Sequence, residues 1–149
     1  MAACAASLVG CGGGDGGGGA PSSMPLNGMV GGKQWMFVAG ETDFFLSSNA
    51  DHYFATFYDV AATPSCTPGG PPTAQNQLIV EIPKKTGSYS QGGTFVYPDS
   101  MGRPYNDITF TGSLEVTSIS TTQIMGGLKM AIDAQNTVDG QFTIDICTQ

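Results

Sequence analysis

Three stretches near the C-terminal end place an apolar residue or glycine at every second position. Ile108, Phe110, Gly112, Leu114 and Val116 form one set. Ile124, Gly126, Leu128, Met130 and Ile132 form the second, and Val138, Gly140, Phe142, Ile144 and Ile146 the third. The residues between them are mostly Thr, Ser, Asp, Glu, Gln and Lys. A period of two puts alternate side chains on opposite faces of an extended chain, so each stretch predicts a strand with one buried face. The connections 118–122 and 134–137 are short and polar, which predicts an antiparallel three-strand meander.

Gly112, Gly126 and Gly140 recur at a spacing of 14 residues, each on the predicted core-facing phase. A bare backbone there marks a bend, or room for a ring from an opposing sheet. Three loosely matched copies do not define a propeller or solenoid. Upstream, strands are predicted over 34–39, 43–47, 53–60, 77–82 and 94–97, and the Gly/Pro-bearing stretch 98–107 is predicted as a loop. The expected fold is all-β: an antiparallel two-sheet sandwich of about seven or eight strands ending in the meander. A small barrel is the alternative.

Composition agrees with strands and turns. Charged residues make up 11% of the chain, against a usual value of about 25%. The net charge is -7 with only five basic residues. That balance repels a polyanion, so no nucleic-acid partner is expected. Lys84-Lys85, the only basic pair, follows an apolar run and reads as a strand-end charge.

The N-terminal region carries a different signal. Ala2 to Val9 are apolar or small, and Leu8-Val9-Gly10-Cys11 is followed by Gly12-Gly13-Gly14-Asp15-Gly16-Gly17-Gly18-Gly19. The tetrad resembles the lipobox of bacterial lipoproteins. The resemblance implies that Cys11 becomes the first mature residue and carries the lipid. The anchor then makes the membrane a partner, with several acyl chains for stable attachment. No Lys or Arg precedes Lys33, so the basic n-region of a signal peptide is expected upstream of Met1. Gly12, rather than Asp, follows the cysteine. In Gram-negative families Asp there retains a lipoprotein at the inner membrane, so the expected location is the cell envelope at the outer membrane. The expected organisation is a signal remnant over 1–10, a flexible glycine tether over 11–32 and the β domain over 33–149. Such a tether would span roughly 25 Å.

The same resemblance removes Cys4 and Cys11 from the folded domain and leaves Cys66 and Cys147 in an oxidising compartment. A disulfide between them is expected, with two free thiols as the alternative. Their spacing does not match a zinc site.

Chemistry-bearing residues are sparse. His52, the sole histidine, has Asp51 beside it but no nucleophile motif to serve, and reads as a turn residue. Asp99 and Asp107 frame the 98–107 segment and are the best candidates for a hard cation such as Ca²⁺. The competing reading is solvated charge. Eight of the 14 aromatic residues lie between Trp35 and Tyr58. Trp35, Tyr53 and Tyr58 are the candidates for a sugar-stacking surface like that of carbohydrate-binding modules. The competing reading is core filling. Together these features predict a non-enzymatic envelope protein without a cofactor, whose domain binds a glycan or another envelope protein or plays a structural part. A carbohydrate- or ligand-binding module over 35–58 is the alternative. A hydrolase, with clustered carboxylates around His52, ranks third.

Overall fold

The computed structural model describes residues 19–48, 51–63, 65–68, 70–71 and 76–148. Among them are β1 (Asn27–Val30), β2 (Lys33–Met36), β3 (Ala39–Thr42), α1 (Phe44–Ser47), β4 (His52–Tyr58) and β5 (Gln77–Pro83). There follow β6 (Gly87–Ser90), β7 (Gly93–Pro98), β8 (Pro104–Thr109), β9 (Gly112–Ile119), β10 (Gln123–Asp133) and β11 (Asn136–Asp145). No helix among the described residues is long and apolar enough to cross a membrane.

The meander is present. β10 pairs antiparallel with both β9 and β11. Leu114 and Val116, Ile124, Leu128 and Met130, and Val138, Phe142 and Ile144 are all buried, on the phase the alternation predicts. β5 likewise buries Leu78, Val80 and Ile82 and turns Ile79 and Glu81 outward.

The described chain is nearly all-β, as expected, but its strands are mixed where a purely antiparallel arrangement was expected. The described strands form one eleven-stranded mixed sheet in the order β6-β9-β10-β11-β3-β4-β5-β7-β8, with β1 joined to β11 and β2. Among the named strands the only parallel step is a single pair, Asp145↔Glu41. That step joins two antiparallel groups edge to edge, so they make one continuous ladder. The sheet curls until its two halves share one core. Phe57 of β4 meets Phe142 of β11 edge-on at 5.1 Å. Thr109 of β8 donates its hydroxyl to the Ala131 carbonyl of β10 at 3.4 Å. The indole of Trp35 donates to the Asn76 carbonyl at 3.1 Å across the interior.

Three local expectations change. Residues 43–47 are a helical turn, because Asp43 accepts from the Leu46 N–H at 2.8 Å and caps it. The stretch 98–107 contains β8, whose polar residues pair with β7. The 108–117 alternation is broken between β8 and β9, leaving Ile108 57% and Phe110 86% exposed on the phase expected inside. The chain turns a corner there as the sheet curls, so periodicity continues while the burying partner changes.

The tether boundary also moves. The end of the 11–32 segment is folded: β1 pairs with β11 and β2, and Leu26 and Val30 are fully buried. Gly31 and Gly32, at φ 59° and 73°, form the two-residue turn between β1 and β2. Left-handed conformations at both positions suit the right-handed twist of a hairpin. Further upstream, Ser113 donates to the Gly19 carbonyl at 2.6 Å, and Gln141 to that of Ser22 at 2.7 Å. Cys4, Cys11 and the lipobox lie outside the described residues.

Candidate functional site

β3, β4 and β5 bring one phase of their side chains to the outer face of the sheet. Glu41 sits opposite Thr56, and Tyr58 opposite Gln77. The loop after β4 folds back over this face, and Cys66 on that loop is bonded to Cys147, just past β11. The expected disulfide is therefore formed, with Cα atoms 5.4 Å apart. Cys66 holds a left-handed φ of 61°, the only positive φ outside glycine among the described residues. That conformation costs about 1–2 kcal/mol for a residue with a Cβ, and the surrounding bonds offset it. The Cys66 N–H donates to a Glu41 carboxylate oxygen. The Cys147 N–H donates to the Thr42 hydroxyl at 2.9 Å.

This corner encloses a cavity of about 270 Å³ bordered by Glu41, Asp43, Phe44, Thr56, Tyr58 and the disulfide. Glu41 is only 6% exposed. The Tyr58 hydroxyl donates to its other oxygen at 3.4 Å. Burial first, and then the Glu41 carboxylate, push the Tyr58 phenol up to about 12. Gly70, at φ 71°, sits against the hydroxyl end of Tyr58, where a Cβ would stand 2.4 Å from the hydroxyl oxygen.

Further along the same outer face is a more apolar groove of about 370 Å³. Phe54, Ile79, Ile108 and Phe110 supply its apolar walls. Glu81, Gln91, Thr94 and Asn106 supply its polar groups. Ile108 and Phe110 reach it because the strand break exposes them. The alternation alone assigns both to the core, so it hides them as surface residues.

The expected sites divide differently. Trp35 is 1% exposed and Tyr58 4%. Both are enclosed, so Trp35, Tyr53 and Tyr58 do not form a stacking surface. Tyr53 is half-buried and lies beneath the Lys84 ammonium, 5.0 Å from the ring centroid. Of the aromatic-rich segment 35–58, only Phe54 lines the outer groove.

Asp99 and Asp107 do not share a site. Asp99 sits in the β7–β8 turn, accepts from the Met101 and Arg103 N–H groups and is paired with the Arg103 guanidinium at 2.8 Å. Those contacts hold its carboxyl below the usual carboxylate range. Asp107 lies along β8 and accepts from the Tyr97 hydroxyl at 3.1 Å and the Asn136 amide at 3.2 Å. Each carboxylate is occupied in holding a turn or a strand contact.

His52 opens β4 at the end remote from Tyr58 and lines a shallow depression with Lys84, Lys85 and Tyr89. Asp51 is the only carboxylate there. The carboxylate cluster expected of a hydrolase is not gathered around His52 among the described residues.

No protein family, curated protein or solved structure matches the chain.

Proposed function

We propose that this chain is a non-enzymatic protein of the bacterial cell envelope, anchored through lipidated Cys11 and presenting its β domain for binding or a structural role. The observation that carries this reading is the Cys66–Cys147 disulfide, because such bonds persist in oxidising compartments outside the cytoplasm. The lipobox-like tetrad supplies the address. Since folded chain begins by Gly19, the segment from Cys11 to Gly19 reaches at most roughly 28 Å when fully extended. The domain would then stand close to the membrane surface, not on a long leash.

The test is the intact mass of the mature protein purified from native membranes, with and without reduction. The expected mass is that of a chain starting at lipidated Cys11, gaining two hydrogens on reduction. An unmodified Met1 start with free thiols would overturn the reading.

A second reading places carbohydrate or small-ligand binding in the outer groove instead of at Trp35. What favours it is the pairing of Phe54 and Phe110 with Gln91, Asn106 and Glu81 around one concavity. Aromatic faces with a few directed polar groups are what a sugar-binding cleft requires. Titration with envelope oligosaccharides should shift the amide resonances of Gly92, Thr94 and Asn106, and Phe110→Ala should abolish the response. Unchanged resonances in the native protein would remove this reading.

A further inference from the structure

The disulfide corner holds a donor set that the S–S bond conceals. One Glu41 carboxylate oxygen and the two cysteine sulfurs lie within 4.8 Å of one another. Glu41 is buried, yet among the described residues the only ion pair is Arg103–Asp99. A buried carboxylate without a counter-ion is costly unless a cation or good hydrogen bonds compensate it. Here the Tyr58 hydroxyl and the Cys66 N–H donate to it, and neither carries a positive charge. The adjoining cavity of about 270 Å³ leaves space for an ion and water.

We propose that reduction of Cys66–Cys147 converts this corner into a site for a soft divalent cation of the Zn²⁺ class, ligated by both thiolates and the Glu41 carboxylate. Water takes the fourth position. A dithiol reductant supplies two electrons and two protons to the S–S bond and itself becomes a disulfide. The two resulting thiols release their protons to solvent as the metal binds. Zinc takes sulfur at about 2.3 Å and carboxylate oxygen at about 2.0–2.2 Å. Tetrahedral placement therefore needs ligand atoms roughly 3.5–3.8 Å apart. Side-chain rotation opens the sulfurs to that separation from Cα atoms 5.4 Å apart. Thiolates favour zinc, cadmium or cuprous ions over magnesium and calcium. The donor set is thus distinct in kind from the Ca²⁺ site expected at Asp99 and Asp107.

The test uses the full chain carrying Cys4→Ser and Cys11→Ser, so that Cys66 and Cys147 are its only thiols. The protein is reduced with a phosphine, freed of reductant without oxygen and titrated with Cd²⁺. The readout is thiolate-to-metal charge-transfer absorption, with Zn²⁺, Mg²⁺ and Ca²⁺ as competitors. A band saturating at one equivalent is expected, absent from the oxidised protein, displaced by Zn²⁺ and untouched by Mg²⁺ or Ca²⁺. Glu41→Gln should weaken binding by at least about tenfold. Near-ultraviolet circular dichroism of the oxidised variant checks that it folds. If it does not, Glu41→Asp, which withdraws the carboxylate by one methylene, should weaken binding in the same sense. No saturable band, or equal affinity in the folded Glu41 variant, would overturn the site.

Discussion

At Gly140 the sequence signal and its physical cause part company. The alternation correctly puts this residue on the core phase, but the space it leaves is taken by backbone, not by a ring. A Cβ at Gly140 would stand 2.6 Å from the Leu26 Cα and N, and φ is 147°. Gly126 differs: a Cβ there would meet the Phe142 ring at 3.0 Å and the Glu115 carbonyl at 2.1 Å. Phe142 is the register partner of Gly126 on the adjacent strand. Spacing alone could not tell these two uses apart. Gly140→Ala should cost about 1–3 kcal/mol from overpacking alone, read as a lowered urea midpoint. Tyr58 gives a second expectation. Its phenol titrates near 12 in the folded protein against 10.0 ordinarily. The folded state therefore holds this proton more tightly than the unfolded state. That contribution to stability is complete below pH 10 and is lost as pH rises from 10 towards 12. Alkaline titration by phenolate absorbance should show a late component that is lost in Tyr58→Phe. Tyr58→Phe should remove this component of the alkaline destabilisation.

At the scale of elements, legibility follows the hydrophobic pattern. β5 and the β9–β10–β11 meander bury one clean phase, so they can be read directly. β6 (Gly87–Ser90) and β8 (Pro104–Thr109) are short, polar and largely exposed, so their pairing leaves little trace in periodicity. The 43–47 segment carries apolar residues in both phases, and the Asp43 cap decides for a helical turn. The outer groove was illegible for a related reason: Phe110 continues the β9 alternation while facing solvent. The disulfide partners could be read, but not Glu41, because only the fold brings β3 beneath the loop bearing Cys66. The N-terminal segment offers the clearest element-scale test. Leu26 and Val30 are fully buried, and β1 covers part of β11 through the register from Asn27↔Asp139 to Met29↔Thr137. A chain beginning at Lys33 should lose at least about 3 kcal/mol, since each such side chain contributes about 1.5–3 kcal/mol when buried. It should also tend to associate through the uncovered β11 edge. Urea unfolding and sedimentation would detect both effects. Equal stability would mean that β1 is an accessory strand.

For the whole molecule, the single Asp145↔Glu41 pair is a thin seam between the two antiparallel groups. The Cys66–Cys147 bond and the Cys147–Thr42 hydrogen bond lie beside it. They reinforce the place where the ladder is weakest. The disulfide spans 81 residues, and the chain-entropy treatment assigns a loop of that size about 4–5 kcal/mol, an upper figure. Domains of this kind have about 5–15 kcal/mol in all, so losing the bond would remove a large share. Reduction, or the paired change Cys66→Ser and Cys147→Ser, should lower the urea midpoint and steepen its slope, because the unlinked unfolded chain expands and exposes more surface. A loss under about 1 kcal/mol, at the bottom of the range for a disulfide, would mean that β-pairing and the shared core hold the seam without the bond. The two routes should then diverge. The reduced native chain retains thiols that a cation can gather, and metal at 100 times its dissociation constant returns about 2.7 kcal/mol. The serine chain has no such recourse. Zn²⁺ should therefore raise the midpoint of the reduced protein and leave that of the serine variant where it is, separating the cross-link's contribution from that of the ligands it joins.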